Sequence, residues 1–305
     1  MANSKVSHII WILLLSICLI GCEREEIDHT KMVVEGWIDA GRHPIVMLHT
    51  SYSLDASSDP DTTLLGVLEE HMVLFGKVVL FDGEDSVILT GRVDTNYLPP
   101  YIYTTTKIRG EVGKTYRLRA TYKGFSAQSE TVIPEKTALD SIRTYVNSQK
   151  VNVVGYANHL EIGESYIIMA RTTNDKQYKI CPMGAFRATH EQMKITINNP
   201  IKFSDEGMML QTLFPQTDSI DIAIKFAKVG ELEYQFWDSY VAQTMTQGLF
   251  FMETHGNIIS NIQGGNGYWC GMGASEYVIQ LDRDSLYQYS RLKPLAFNLS
   301  PPNIR

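Results

Sequence analysis

The chain has 305 residues, a length that suits two domains of roughly 100–200 residues each, and 44% of it is hydrophobic, enough to build a core. Its net charge is −7 at pH 7 and it holds no basic cluster. That argues against nucleic-acid binding, which needs a Lys/Arg footprint.

Lys5 precedes Ile9–Ile20, an apolar run of 12 residues. A bilayer span needs about 20 apolar residues, so the run predicts the core of a secretory signal peptide. It ends in Leu19-Ile20-Gly21-Cys22, which resembles the bacterial lipobox: an aliphatic residue, a tolerant position, a small residue, then cysteine. Residues 1–21 are then a lipoprotein signal, cut between Gly21 and Cys22. The Cys22 thiol takes a diacylglyceryl group and its new amine an acyl chain. Each buried CH₂ contributes roughly 0.8 kcal/mol, so several chains anchor stably. Residues 22–31 form an acidic tether. Its Glu23, Glu25 and Glu26 resemble the surface-export signal of Bacteroidetes-type lipoproteins, and the plain alternative is a solvated spacer.

From Met32 the pattern turns to short strands. "MVVEGWI" (32–38) alternates, "PIVMLHTSY" (44–52) follows, and Ser53–Thr63 is a polar loop. "KVVLFDGEDSVILTG" (77–91) predicts a hairpin turning at Asp82-Gly83. "YIYTTTKI" (101–108) and two strands around Tyr122-Lys123-Gly124-Phe125 complete a series with turns every 8–12 residues. This predicts an immunoglobulin-like or transthyretin-like β-sandwich over 32–136. A β-rich domain is expected over 137–305: strands at 164–173, 193–199 and 218–227, then a helix at 230–248, a Gly-rich loop at 261–274 and a closing strand. In the helix, Leu232, Phe236, Tyr240 and Val241 fall on one face. No sequence repeat is expected.

Two cysteines remain after the lipid site, Cys181 and Cys270. They are a disulfide or two buried thiols; the sequence leaves both open. His43 and His49, and His190 and His255 with their acidic neighbours, show no metal-ligand spacing. Met208, Met209, Met245, Met252 and Met272 read as core filling before soft-metal binding. GxSxG and HExxH do not occur, and no catalytic residue, metal or cofactor is expected. Tyr268 and Trp269, among the glycines of the loop, are the candidate ligand or partner contacts; the alternative is a tight turn whose aromatics cap the core.

"MVVEGWI", "RGEVGKTYRLRA" (109–120) followed by "LDSI" (139–142), and "NIQGGNGYW" (261–269) together resemble one family, the Bacteroidetes-type outer-membrane lipoproteins called domain of unknown function 4249. The resemblance covers nearly all of the mature chain. It implies a non-enzymatic lipoprotein held in the outer membrane by its lipid, facing the cell exterior, with a TonB-dependent outer-membrane barrel as partner. It names no ligand and no catalytic residue. A structural or adhesive surface protein of sandwich modules is the alternative expectation.

Overall fold

A computed structural model describes residues 31–51, 70–83, 85–97, 99–147, 150–173, 175, 178–197, 208–209, 218–246, 258–283 and 295–297. The first half holds β1 (Met32–Asp39), β2 (Ile45–Thr50), β3 (Lys77–Asp82), β4 (Asp85–Val93), β5 (Tyr101–Thr104), β6 (Thr115–Tyr122) and β7 (Phe125–Val132). The second holds β8 (Ser141–Asn147), β9 (Lys150–Ala157), β10 (Ser165–Thr172), β11 (Lys179–Arg187), β12 (Met193–Thr196), β13 (Met208–Met209) and β14 (Ser219–Val229). A helix α1 (Glu231–Thr246), β15 (Asn266–Asp282) and β16 (Leu295–Phe297) close the order. The expected class is met: mainly β, with one helix among the described residues.

Eleven strands form one sheet, in the order β11-β10-β14-β15-β1-β2-β5-β4-β3-β6-β7. A second sheet runs β12-β9-β8-β16, with β13 beside β9. The apolar alternation of each strand decides which face meets a core. Val34, Ile38, Leu80, Leu118 and Trp269 fill the core under the first half. Ile142, Val153, Ile168, Phe226 and Ile279 fill the core between the main and second sheets. Neither the cores nor the hydrogen bonds stop at the expected boundary between 32–136 and 137–305: Ile262 and Trp269 belong to the core under the first half. β15 runs parallel to β1, Gly36 facing Trp269, and antiparallel to β14. The main sheet crosses the expected boundary, and residues 31–305 form one compact unit.

The Gly-rich segment is corrected most. A loop was expected at 261–274, yet a 17-residue strand begins at Asn266. Its glycines answer to distant backbone. A Cβ on Gly267 would lie 2.0 Å from Val34 O, and its φ is +103°. Cβ atoms on Gly271 and Gly273 would meet the carbonyl oxygens of Val132 and Glu135 at 2.6 and 2.1 Å. Gly36 serves the same joint from the other side, since the Trp269 ring lies over it.

The structure also reveals a repeat that the sequence reading missed. Glu111-Val112-Gly113-Lys114-Thr115-Tyr116 and Glu161-Ile162-Gly163-Glu164-Ser165-Tyr166 make the same bonds. Each tyrosine hydroxyl accepts the N–H of the glutamate five residues back, at 3.0 and 2.9 Å. Each glycine has positive φ and donates to the residue just past the second strand of its hairpin, to Ile133 O and Ala188 O. Both halves thus open a hairpin from a buried tyrosine corner.

The helix face shifts too. Phe236 and Val241 face the sheet as expected, but Leu232 (54% exposed) and Tyr240 (37%) do not. Glu233 and Trp237 take the buried positions. Glu233 is tolerated there because Thr131 Oγ1 donates to its carboxylate at 2.6 Å.

Gly267→Ala is expected to lower stability by roughly 3 kcal/mol or more, through strained φ and backbone overlap. Gly83→Ala, with φ +65° and no atom within 4 Å of the new Cβ, should cost only about 1 kcal/mol. Denaturant midpoints of the two variants measure the difference.

Candidate functional site

Trp269 is not a contact residue. It is fully buried, and its indole Nε1 donates to Tyr116 O at 2.9 Å. Its backbone N–H and C=O are both bonded by the side-chain amide of Asn261. Period-two alternation puts Tyr268 on the opposite face of β15, half-buried. There its ring packs on Phe236 and Trp237, with centroids 4.8 and 4.9 Å apart, and burial pushes its phenol well up. The expected pair is therefore split across the sheet: one ring is core and the other seals the helix to the sheet. Gly21, Cys22, Glu23, Glu25 and Glu26 lie outside the described residues.

Beside Tyr268, on the same face, the sheet gathers a group that the sequence reading did not single out. Asp39 ends β1 and Lys225 sits mid-β14, with β15 between them. Lys225 Nζ donates to both Asp39 oxygens, at 2.8 and 2.7 Å, with side chains 5% and 9% exposed. Ala274, small and on the intervening strand, faces Ala227 next to Lys225. Three half-buried aromatics surround this pair. Trp37 lies 6.0 Å from Lys225 Nζ and 6.1 Å from the Tyr97 ring. Tyr178 lies under the Arg171 guanidinium at 5.1 Å.

The electrostatics agree with that placement. Burial raises the Tyr178 phenol to about 12, with the Glu276 charge next and Asp39 also contributing. Burial and then Asp94 raise Tyr97, and Asp39 adds to it. Both tyrosines thus feel the Asp39 carboxylate. Arg42 and Glu276 pair at 2.8 Å at the rim. The signal that could have found this site was a lysine inside the apolar run of β14 and an aspartate at the end of β1's alternation. Such charges are buried only when paired.

Both carboxylate oxygens of Asp39 are engaged by Lys225. Cys270, on the same face, is a free buried thiol pushed well up by burial. Cys181 is likewise free, buried and raised. Neither is a ready thiolate nucleophile, and the two form no disulfide. Among the described residues no three His, Cys, Asp or Glu side chains converge on a metal position. His43 bonds Ile108 O at 2.7 Å, His49 lies 3.5 Å from Glu35, and His190 bonds Thr189. His255 lies outside the described residues, as does Met252.

The model of one family matches residues 22–277, more than half of the chain. The chain belongs to the family described as domain of unknown function (DUF4249). No curated protein matches it. The DUF4249 match starts at Cys22 and ends at Tyr277, whose hydroxyl accepts the N–H of Leu139 at 2.8 Å. The motifs behind the resemblance meet at one joint. Gly36 of "MVVEGWI" and Tyr116 of "RGEVGKTYRLRA" both hold Trp269 of "NIQGGNGYW".

Asp39→Ala or Lys225→Met alone is expected to cost about 3–5 kcal/mol, because each strands a buried charge. The double variant Asp39→Leu/Lys225→Met should lose much less than the sum. Equilibrium unfolding of the three variants measures this coupling.

Proposed function

We propose that this DUF4249 chain is a non-enzymatic lipoprotein of the outer membrane that serves a TonB-dependent transporter, as an accessory or ligand-capture partner. One observation carries the anchoring: the family match begins at Cys22, the residue that the lipobox Leu19–Cys22 marks for lipid. A family domain that starts at the lipidated residue supports a body tethered directly to a membrane surface. The acidic run Glu23, Glu25 and Glu26 supports export to the outer face.

The described residues support recognition over turnover. Trp37, Tyr97 and Tyr178 offer half-buried ring surface, and Arg42, Glu276 and Arg171 offer charge around it. Aromatic area with few rotatable bonds is the usual anchor of an interface, and arginine its usual polar partner. The thiol on that face, Cys270, is held protonated by burial. Ligand or barrel would therefore meet a rigid sheet face.

Purification of the lipidated chain from detergent-solubilised outer membranes should recover a large barrel protein, and Cys22→Ala should lose it. Protease added to intact cells should remove the wild-type chain and spare a Glu23→Ala/Glu25→Ala/Glu26→Ala variant. An abundant lipidated chain that brings down no barrel would contradict the transporter reading. Equal protease sensitivity of the two forms would contradict the export reading alone.

A further inference from the structure

The second sheet turns one face to the core through Ile142, Thr144, Val151 and Val153. Its other face carries Arg143 and Tyr145 on β8, Val154 and Tyr156 on β9, and Lys194 on β12. On this outer face Val154 is only 4% exposed and belongs to no core cluster. Four polar side chains share this face with it. The Tyr145 and Tyr156 hydroxyls share a hydrogen bond of 2.5 Å. The Arg143 guanidinium stacks 4.9 Å over Tyr156, and the Lys194 ammonium lies 5.6 Å over Tyr145. Strand register explains the convergence, since Lys194 faces Tyr156 and Arg143 faces Val154 across adjacent strands.

Two cations are thus brought to one tyrosine pair, and among the described residues neither has a carboxylate partner. Like charges held together repel, and a sheet normally sets an acid opposite such a group. Arg143 and Lys194 keep donors free beyond their ring contacts, because a guanidinium has five N–H groups and an ammonium three. One tyrosine donates to the other, so one phenol proton is also free. The set is rich in donors and lacks a charged acceptor.

We propose that this outer face of the second sheet is an oxyanion site, taking a ligand through a carboxylate or phosphate group held by Arg143, Lys194 and the Tyr145–Tyr156 pair. The planar fork of Arg143 would engage two oxygens, Lys194 would supply a point charge, and the free phenol O–H would fix orientation. The site is separate from the Asp39–Lys225 face, which lies on the main sheet. The Tyr145 phenol already senses the charge: its hydrogen bond from Tyr156 comes first among the causes that lower it, and Arg143 and Lys194 add to this.

The test uses the full-length lipidated chain in detergent micelles. Tyr145 is titrated by ultraviolet difference spectra against a Tyr145→Phe reference, with inorganic phosphate or acetate added in separate arms and chloride as control. A bound anion offsets the two cations, so the Tyr145 phenol should titrate at higher pH in the phosphate or the acetate arm than in chloride. The arm that responds identifies the group. Arg143→Gln and Lys194→Gln should each weaken that response about tenfold, and the double variant should abolish it. Denaturant midpoints of the Arg143→Gln and Lys194→Gln variants, expected to match the wild type, check that loss of response is not loss of fold. No shift in either arm, or a shift that survives in the double variant, would overturn the proposal.

Discussion

A strand has two edges, and β15 fills them with different partners along its length. One edge pairs in parallel with β1 over Asn266–Met272. The other pairs with β14 from Gly273 to Asp282. Where β14 has ended, the side chain of Asn261 takes the place of a strand at Trp269, and Thr131 Oγ1 accepts the N–H of Gly271. Thr131 in turn donates to Glu233 of α1. Burial raises the Glu233 carboxyl, so it holds its place through that hydrogen bond rather than through solvation. These side-chain bonds satisfy backbone groups of β15 that no strand pairs, as burial requires. Because Trp269 belongs to the C-terminal half and fills the N-terminal core, neither half completes its own packing.

Much of the first half was legible locally. The alternation of β1, the Asp-Gly turn after β3 and the turn between β6 and β7 are short-range signals with short-range causes. β15 was not legible, because glycine reads as a loop breaker wherever its partner backbone is far away in sequence. Gly271 faces Val132 and Gly273 faces Glu135, and no window of a dozen residues contains both. β11 was missed for a related reason. Pro182 and Gly184 break its pattern, but it is the end strand of the main sheet, where a missing donor is tolerated. A register shift in its pairing with β10 absorbs the irregularity.

The same logic relates the family motifs to the face that carries the ion pair. Of the motif residues that carry the resemblance, Gly36, Tyr116 and Trp269 form a buried joint, while Trp37 of the same first motif lies half-buried on the other face. Trp37 joins Tyr97 and Tyr178 around a buried ion pair. Their positions 37, 97 and 178 are spread along the chain, so no local motif contains them. Only the strand order β14-β15-β1 brings Lys225 to Asp39. The Asp39–Lys225 face and the joint therefore share one strand, Trp269 turned to one core and Tyr268, Cys270 and Met272 to the other side.

The claim that β15 makes one cooperative body of two halves is tested most directly by native-state amide hydrogen exchange. Amides of β1, β6 and β15 should exchange through a single opening, with one free energy equal to that of global unfolding. Persistent protection of β2–β7 after the amides of β15 have exchanged would contradict it, because the first half would then be holding its core without Trp269.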